Sequence, residues 1–204
     1  MERINVILNF WFRGIEDEAI IRKNDLPFRR WFEKNKFFDQ EIREKFETDL
    51  MRAKQGACKT WETTARGRLA LVILYDQFSR NMYRNTPKMY ETDSLALDLA
   101  LRSIRENRHQ QLILVKHIFL YMPLQHAEDI RMQELSLQSF EQLVNDVAEK
   151  NPKNVDYYKY HLNYAKRHHA IISRFGRFPH RNAVLGRIST SEELAFLKRS
   201  GSSF

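Results

Sequence analysis

Residues 66–83 constrain the fold of this chain more than any other stretch, because they predict a helix that is apolar on nearly all sides. At about 100° per residue, apolar side chains fall on two broad faces of the helical wheel. These side chains are Leu69, Leu71, Val72, Ile73, Leu74, Tyr75, Phe78, Met82 and Tyr83. A helix with this pattern is buried, so we expect other elements to surround it.

Two charged residues interrupt this apolar helix. Asp76 and Arg80 are four residues apart and lie in the same stripe as Leu69 and Ile73. An isolated buried charge is very costly, so both side chains must be paired or must bind something. The sequence leaves two interpretations open: an internal ion pair that links two helical turns, or a pair that faces a ligand.

The rest of the chain also predicts helices, and no segment shows a competing strand pattern. Only 6 Gly and 5 Pro occur among 204 residues, and this composition favours helix over sheet. Apolar residues at helical spacing indicate further helices near residues 4–12, 28–32, 39–56, 93–104, 111–123, 124–147, 156–175 and 190–197. We therefore predict an all-α fold of antiparallel helix pairs that forms a single domain over residues 1–204.

Start and stop signals refine some of these helix ends. Pro123 is expected to end the helix that begins near residue 111, or to start its successor. The expected N-terminal caps are Asp39, either Asp93 or Ser94, and a capping box of Thr190 with Glu193 or of Ser189 with Glu192.

The predicted helix at residues 124–147 changes from apolar to polar towards its N-terminus. The apolar part of its inward face consists of Leu137, Phe140, Val144 and Val147. The same face, extended backwards, passes through Asp129 and His126, whereas Glu128 falls on the opposite side. We therefore predict that Asp129 faces the interior. The alternative is that His126 and Asp129 only cap and orient the start of the helix.

The last long predicted helix, residues 156–175, leads into a loop rich in arginine. His161 and His168 lie near the centre of its apolar stripe, where each could be a satisfied core histidine or part of a site. The segment RFGRFPHRNAVLGR, residues 174–187, is termed the arginine loop and holds four arginines and His180. Arginine recognises carboxylates and phosphates, so this loop needs an anionic partner from the protein or from a ligand.

These elements together predict a polar cleft between the helices at residues 66–83, 124–147 and 156–175, closed by the arginine loop. The ligand-binding candidates are Asp76, Arg80, His168, Arg174, Arg177, His180, Arg181 and Asn182. Arg80, Arg177 and Arg181 would clamp a small anionic ligand or a peptide carboxylate. His126 and Asp129 would be the acid–base pair if the protein is an enzyme. The alternative is a structural network, in which the arginines bind helix C-terminal carbonyls and neighbouring acids.

Several classes of function are disfavoured by the sequence. The net charge of +8 is spread along the whole chain, which disfavours a dedicated nucleic-acid-binding arm. The chain has no phosphate-binding glycine loop, GxSxG elbow or HExxH motif, so we predict no nucleophile and no cofactor. His126, Asp129 and His168 could approach a metal, but the paired carboxylate–histidine motifs of di-iron bundles are missing and we predict no metal.

The sequence also bears on cellular location. A single cysteine, Cys58, excludes an internal disulfide and fits a reducing compartment. The longest apolar run, Leu69–Tyr75, is too short for a membrane span, and the first residues do not form a signal peptide. We therefore expect a cytoplasmic protein without membrane contact.

Four stretches of the sequence resemble a known family. They are NFWF at 9–12, GRLALVILYDQFSRNMYRNTP at 67–87, FLYMPLQHAEDIRMQELSLQSF at 119–140 and YAKRHHAIISRFGRFPHRNAVLGRISTSEELAFL at 164–197. They closely resemble the bacterial family catalogued as domain of unknown function 924. The resemblance implies an all-helical, tetratricopeptide-like bundle or short solenoid, and no known activity.

The resemblance also implies a set of characteristic polar positions. They are Asp76, Gln77, Arg80, Asn81, His126, Glu128, Asp129, His168, Arg174, Arg177, His180, Arg181 and Asn182. This set adds Asn81 to the ligand-binding candidates. Two departures matter: Ser79 stands where the family usually has proline, which we expect to straighten the helix, and Gln125 stands where it usually has glutamate. The missing acid argues against a chemical role for position 125.

Two functions from different classes follow. In the first, the cleft binds a small anion, and Arg177→Ala and His126→Ala should abolish binding while the fold stays largely intact. In the second, a tetratricopeptide-like scaffold presents its concave surface to a partner protein, and an exposed apolar groove is expected.

Overall fold

The computed structural model describes residues 2–15, 19–22 and 25–203, so both ends of the predicted range 1–204 lie outside it. Within these residues every regular element is helical, which confirms the all-α prediction. The α-helices are α1 (Glu2–Phe12), α2 (Leu26–Phe32), α3 (Lys36–Lys54), α4 (Ala65–Val72), α5 (Ser79–Met82), α6 (Asp93–Arg105), α7 (Leu114–His126), α8 (Ile130–Lys150), α9 (Val155–Phe175) and α10 (Ser191–Leu197).

The central helix predicted at residues 66–83 is present, but its middle is wider than an α-helix. A π-helical segment, Ile73–Phe78, joins α4 to α5 without a break, and all of its residues are buried. The backbone N–H of Ser79 donates to the carbonyl of Leu74, five residues earlier. Thr92 supports the segment from outside, because its hydroxyl donates to the carbonyl of Tyr75 at 2.6 Å. Ser79 therefore follows a widened turn instead of continuing a straight, regular α-helix.

Some N-terminal caps differ from those predicted. The side chain of Asn35, not Asp39, caps α3, and Thr92 is the residue that precedes α6. Of the two capping boxes considered for α10, the one formed by Thr190 and Glu193 is present.

A break between α7 and α8 changes the phase of the helix predicted at residues 124–147. Pro123 lies inside the last turns of α7, which ends at His126. Residues 127–129 are not helical, and α8 begins at Ile130. A helical wheel drawn for α8 therefore does not apply to residues 126–129. It does not predict which way their side chains face.

Aromatic side chains hold the N-terminal helices against the central one. The ring of Trp11 lies 5.5 Å from that of Phe78 and 5.7 Å from that of Phe119, measured between centroids. Trp31 of α2 donates its indole N–H to the carbonyl of Trp11 at 2.8 Å. α4 also packs against α6 and α7, and α7, α8 and α9 pack one on the next. None of the described helices is long and apolar enough to cross a lipid bilayer.

A small separate cluster fixes the arginine loop. Ile171, Ile172 and Phe178 are buried together, with Phe175 and Phe196 packed against them. Because Phe196 belongs to α10, this cluster holds α10 and the loop against the end of α9.

Candidate functional site

A cleft of about 420 Å³ opens beside the π-helical segment, a size typical of small-molecule sites. Its lining includes parts of α2, the π-helical segment, α5, the end of α7, α9 and the arginine loop. π-Helical turns of this kind occur frequently at functional sites. The predicted site residues that line the cleft are Arg80, Asn81, His126, His168, His180 and Arg181.

Asp76 lies behind this lining and is fully buried. Arg80 contacts it at 2.9 Å and donates two further hydrogen bonds to Asp93, at 2.8 and 3.0 Å. Burial alone would raise the pKa of Asp76, but Arg80 and His126 outweigh that effect and the pKa is lowered. The internal ion pair is therefore present, and Arg80 also borders the cleft.

His126 is held by the carboxylate of Asp76, with Nδ1 and Oδ1 2.6 Å apart. Because the ionised carboxylate can only accept, Nδ1 must carry the proton in this hydrogen bond. Burial, followed by the charge of Arg80, lowers the pKa of His126, so the ring is neutral near pH 7. The proton on Nδ1 then leaves Nε2 with a lone pair. Since Asp76 is behind the lining and His126 is part of it, the Nε2 edge of the ring is the edge available to the cleft.

Two histidines of α9 form another part of the wall. Nδ1 of His168 lies 2.8 Å from the carbonyl of Tyr164, so this nitrogen is the donor, and burial lowers the pKa of His168 well below its usual value. The rings of His126 and His168 are 6.1 Å apart between centroids. Burial also lowers the pKa of His161, to about 3. Among the described residues, Nε2 of His161 has no hydrogen-bond partner, although His161 was not among the predicted ligand-binding residues.

Arg181 is the cation of the cleft with the weakest compensation. It is 7% exposed, and its guanidinium stacks over the rings of Tyr90 and Phe178 at 4.7 and 4.5 Å. Its contact with Asp93 is 3.6 Å long, and Nε is buried without a hydrogen-bond partner among the residues described. Burial and, after it, the charge of Arg80 lower the pKa of Arg181.

The other guanidinium groups of the arginine loop are occupied by acids of the protein. Arg174 pairs with Glu192 at 2.7 Å, and Arg177 donates two hydrogen bonds to Glu193 at 2.7 and 2.8 Å. The amide of Asn182 donates to the hydroxyl of Ser189 and to the same Glu193. The structure therefore places Arg174, Arg177 and Asn182 in a network that joins the loop to α10, outside the cleft lining. Of the three arginines of the predicted clamp, Arg80 and Arg181 line the cleft and Arg177 does not.

Neither Glu128 nor Asp129 lines the cleft. Asp129 is the N-cap of α8, where its carboxylate accepts from the backbone N–H of Arg131 and contacts the guanidinium of the same residue. Glu128 accepts two hydrogen bonds from Arg187, at 2.6 and 2.9 Å, and one from the backbone N–H of Phe178 at 2.7 Å. The prediction that Asp129 faces the interior is wrong, and no acid–base pair with His126 forms. The carboxylate that meets His126 is Asp76.

An aromatic side of the cleft was missed from the sequence. Phe28, Trp31 and Phe32 of α2 and Tyr160 and Tyr164 of α9 all line it. The rings of Phe28 and Tyr160 are 5.5 Å apart between centroids. Their spacing in the sequence predicts helices, and nothing in the pattern of α2 indicates that it meets α9.

The described part of the chain contains no group of three or more His, Cys, Asp or Glu side chains placed to hold a metal ion. Asn81 and Arg84 border the cleft, but both donate to Asp39, at 2.7 Å for Asn81 and at 2.8 and 2.9 Å for Arg84. The arginines of the lining are therefore mostly paired within the protein, and Arg181 is the least completely paired of them.

Comparisons with known proteins agree with this architecture. Residues 7–201 match the sequence model of the family described as bacterial protein of unknown function, DUF924. A solved structure of a protein of unknown function, ATU0120 from Agrobacterium tumefaciens, is 32% identical, with 97% of each chain covered and a TM-score of 0.77. No curated protein matches the sequence.

Proposed function

The chain belongs to the bacterial family of unknown function DUF924, and from that premise we propose that its cleft binds a small organic anion through Arg181. The observation that carries the proposal is the buried, incompletely paired guanidinium. A buried arginine is normally hydrogen-bonded and paired, because its desolvation is expensive. Arg181 has one acid at 3.6 Å, and that acid already accepts two hydrogen bonds from Arg80.

The rest of the lining supports an organic anion more than an inorganic one. The cleft is lined by the aromatic rings of α2 and of Tyr160 and Tyr164. The neutral ring of His126 also lines it and provides a hydrogen-bonding atom without adding charge. A ligand with one anionic group and a flat apolar part would fit this lining. Benzoate has this chemistry and is a suitable probe.

The test compares thermal unfolding with and without sodium benzoate, sodium acetate and inorganic phosphate. At about 100 times its Kd, a ligand of the folded state raises Tm by about 5–10 °C for a chain of this size. We expect benzoate to do this for the wild type and to have no effect on Arg181→Met.

Arg174→Met is the matched control, because Arg174 is bound to Glu192 outside the cleft lining. This variant should keep the response to benzoate. Failure of all three anions to shift the wild type, or an equal shift in Arg181→Met, would contradict the proposal.

A second candidate function, a scaffold for a partner protein, has one observation in its favour. A surface groove of about 580 Å³ contains Leu26 and Phe37, which are 68% and 90% exposed, among mostly charged residues. Exposed apolar patches rimmed by polar residues mark protein-binding surfaces. Its test is a stable partner that the wild type retains and Phe37→Ser loses, with benzoate having no effect on Tm.

A further inference from the structure

We propose that His126 is a general base that activates water in the cleft for hydrolysis of a carboxylic ester, with Asp76 as its positioning residue and Arg181 as the donor to the acyl oxygen. The inference rests on the proposed function, because the organic anion that binds at Arg181 would be the carboxylate product. It goes further by assigning a reaction and a substrate class to the same cleft.

The first support is the way His126 is held. A general base needs a ring nitrogen with a lone pair at the site and a fixed orientation. The hydrogen bond of Nδ1 to the buried carboxylate of Asp76, at 2.6 Å, selects the tautomer and the orientation. Asp76 is itself fixed by Arg80 at 2.9 Å and by the side-chain amide of Gln77 at 2.6 Å. His126 therefore has little freedom to turn Nδ1 away from Asp76.

The second support is the donor. Hydrolysis of an ester develops one negative charge on the acyl oxygen, and a preorganised donor in a poorly hydrated site stabilises it strongly. Arg181 lines the cleft and offers a cation whose one acid, Asp93, is 3.6 Å away. Arg181 and His126 line the same cleft. They are also joined behind it by one chain of ion pairs through Asp93, Arg80 and Asp76.

The chemical step balances without a cofactor. A water O–H gives its proton to Nε2 of His126 while the water oxygen forms a bond to the acyl carbon. The carbonyl electron pair moves to the acyl oxygen, which accepts the hydrogen bond from Arg181. When the carbonyl re-forms, the bond to the alcohol oxygen breaks, and Nε2 returns the proton to the leaving group. The products are one carboxylate, after loss of its acid proton, and one alcohol.

The charge around His126 favours this role near neutral pH. The groups that face it are Asp76 of the π-helical segment, Arg80 of α5, Asp93 of α6, His168 of α9 and His180 of the arginine loop. Burial and Arg80 lower the pKa of His126, whereas Asp76 and Asp93 raise it by a smaller amount. The ring is therefore unprotonated at pH 7, and the rate should fall only below the usual histidine range.

The experiment follows release of p-nitrophenolate from p-nitrophenyl benzoate. His126→Gln should lower kcat/KM by about 10²–10⁴-fold, and Arg181→Met by about 10²–10³-fold. His117→Gln is the matched control, because His117 is a buried histidine bonded to the carbonyl of Leu112 and is not part of the lining. It should leave the rate unchanged.

The role of Asp76 is tested by the pH profile. Asp76→Asn removes a charge that raises the pKa of His126. In a plot of kcat/KM against pH, the fall on the acid side should therefore move to lower pH, and the maximum kcat/KM should decrease. If Asp76 were only structural, the maximum kcat/KM would decrease while the pH of the acid-side fall stayed the same. Nitrogen NMR of the wild type provides a measurement that does not depend on a stable variant: Nδ1 of His126 should be protonated and Nε2 unprotonated at pH 7.

The outcomes separate the two proposals. Benzoate binding together with equal hydrolysis by wild type and His126→Gln overturns the inference and leaves the proposed function standing. Hydrolysis that depends on His126 but shows no benzoate binding supports the base and contradicts the carboxylate site. An NMR result in which Nε2 of His126 carries the proton and Nδ1 does not would also overturn the inference.

Discussion

The carboxylate of Asp93 lies 3.6 Å from the guanidinium of Arg181, while Arg80 donates to that carboxylate at 2.8 and 3.0 Å. Two arginines therefore share one acid unequally. Arg80 also has Asp76 at 2.9 Å, and Arg181 has no second acid within salt-bridge distance among the described residues. This difference separates a structural cation from one that is available to a ligand.

The two arginines should respond in opposite ways to replacement by methionine. Arg80→Met leaves the buried carboxylate of Asp76 without its cation and should cost about 3–5 kcal/mol of unfolding free energy. Arg181→Met should leave the stability of the ligand-free protein unchanged or raise it by about 1 kcal/mol, because it removes an incompletely paired buried charge. Urea unfolding measures both. Equal losses would show that Arg181 is structural.

The π-helical segment should depend on Thr92 more than on Ser79. The hydroxyl of Ser79 donates to Thr92 at 2.8 Å, and Thr92 donates to the carbonyl of Tyr75 at 2.6 Å. Thr92→Val removes this donor and should cost about 1–3 kcal/mol, whereas Ser79→Ala removes only the outer hydrogen bond and should cost about 1 kcal/mol. Urea unfolding of the two variants gives the ranking, and the reverse order would contradict it.

Glu193 should make the arginine loop sensitive to acid. The pKa of Glu193 is lowered to about 2, mainly by its hydrogen bonds from Arg177. A carboxyl group with a lowered folded-state pKa adds stability above its unfolded value of about 4.5, and this stability is lost as the pH falls towards 2. The stability difference between wild type and Glu193→Gln should therefore be large at pH 7 and small near pH 2.5, as measured by urea unfolding.

The same network changes what Arg177→Ala is expected to do. The sequence predicted loss of ligand binding, but the pairing of Arg177 with Glu193 now predicts a less stable loop and unchanged benzoate binding at Arg181. Arg174→Gln is the control, because its partner Glu192 is 61% exposed and the pair should contribute little. Loss of benzoate binding in Arg177→Ala with an intact loop would contradict this assignment.

Buried histidines should make the protein less stable as the pH falls from about 6.5. The pKa of His161 is lowered to about 3 and that of His117 to about 4, in both cases mainly by burial. Between these values and 6.5 the unfolded chain binds protons that the folded chain does not, so stability rises with pH. Each histidine contributes up to about 1.4 kcal/mol per pH unit to the slope of the unfolding free energy against pH. His161→Phe should reduce the slope in urea unfolding, and an unchanged slope would contradict the assignment.

The helical pattern predicted correctly which parts of the chain are buried, but it failed where a helix was interrupted. Asp76 and Arg80 lie in the apolar stripe of residues 66–83, and the structure shows the internal ion pair between them. Asp129 was misplaced because the chain between α7 and α8 is not helical, so the wheel phase of α8 could not be extended to it. Glu193 was identified only as part of a capping box, and its partnership with Arg177 depends on how α10 folds back onto the loop.

The sequence by itself determined that this chain is all-helical, that residues 66–83 are its buried centre and that the loop after α9 needs anionic partners. Each of these follows from local spacing and composition, which act over a few turns of helix. Only the tertiary structure decided which charges meet. Asp76 binds His126 fifty residues away and Glu128 binds Arg187 fifty-nine residues away. Such pairings depend on how helices cross, and crossing is set by the packing of the whole core and not by any one segment.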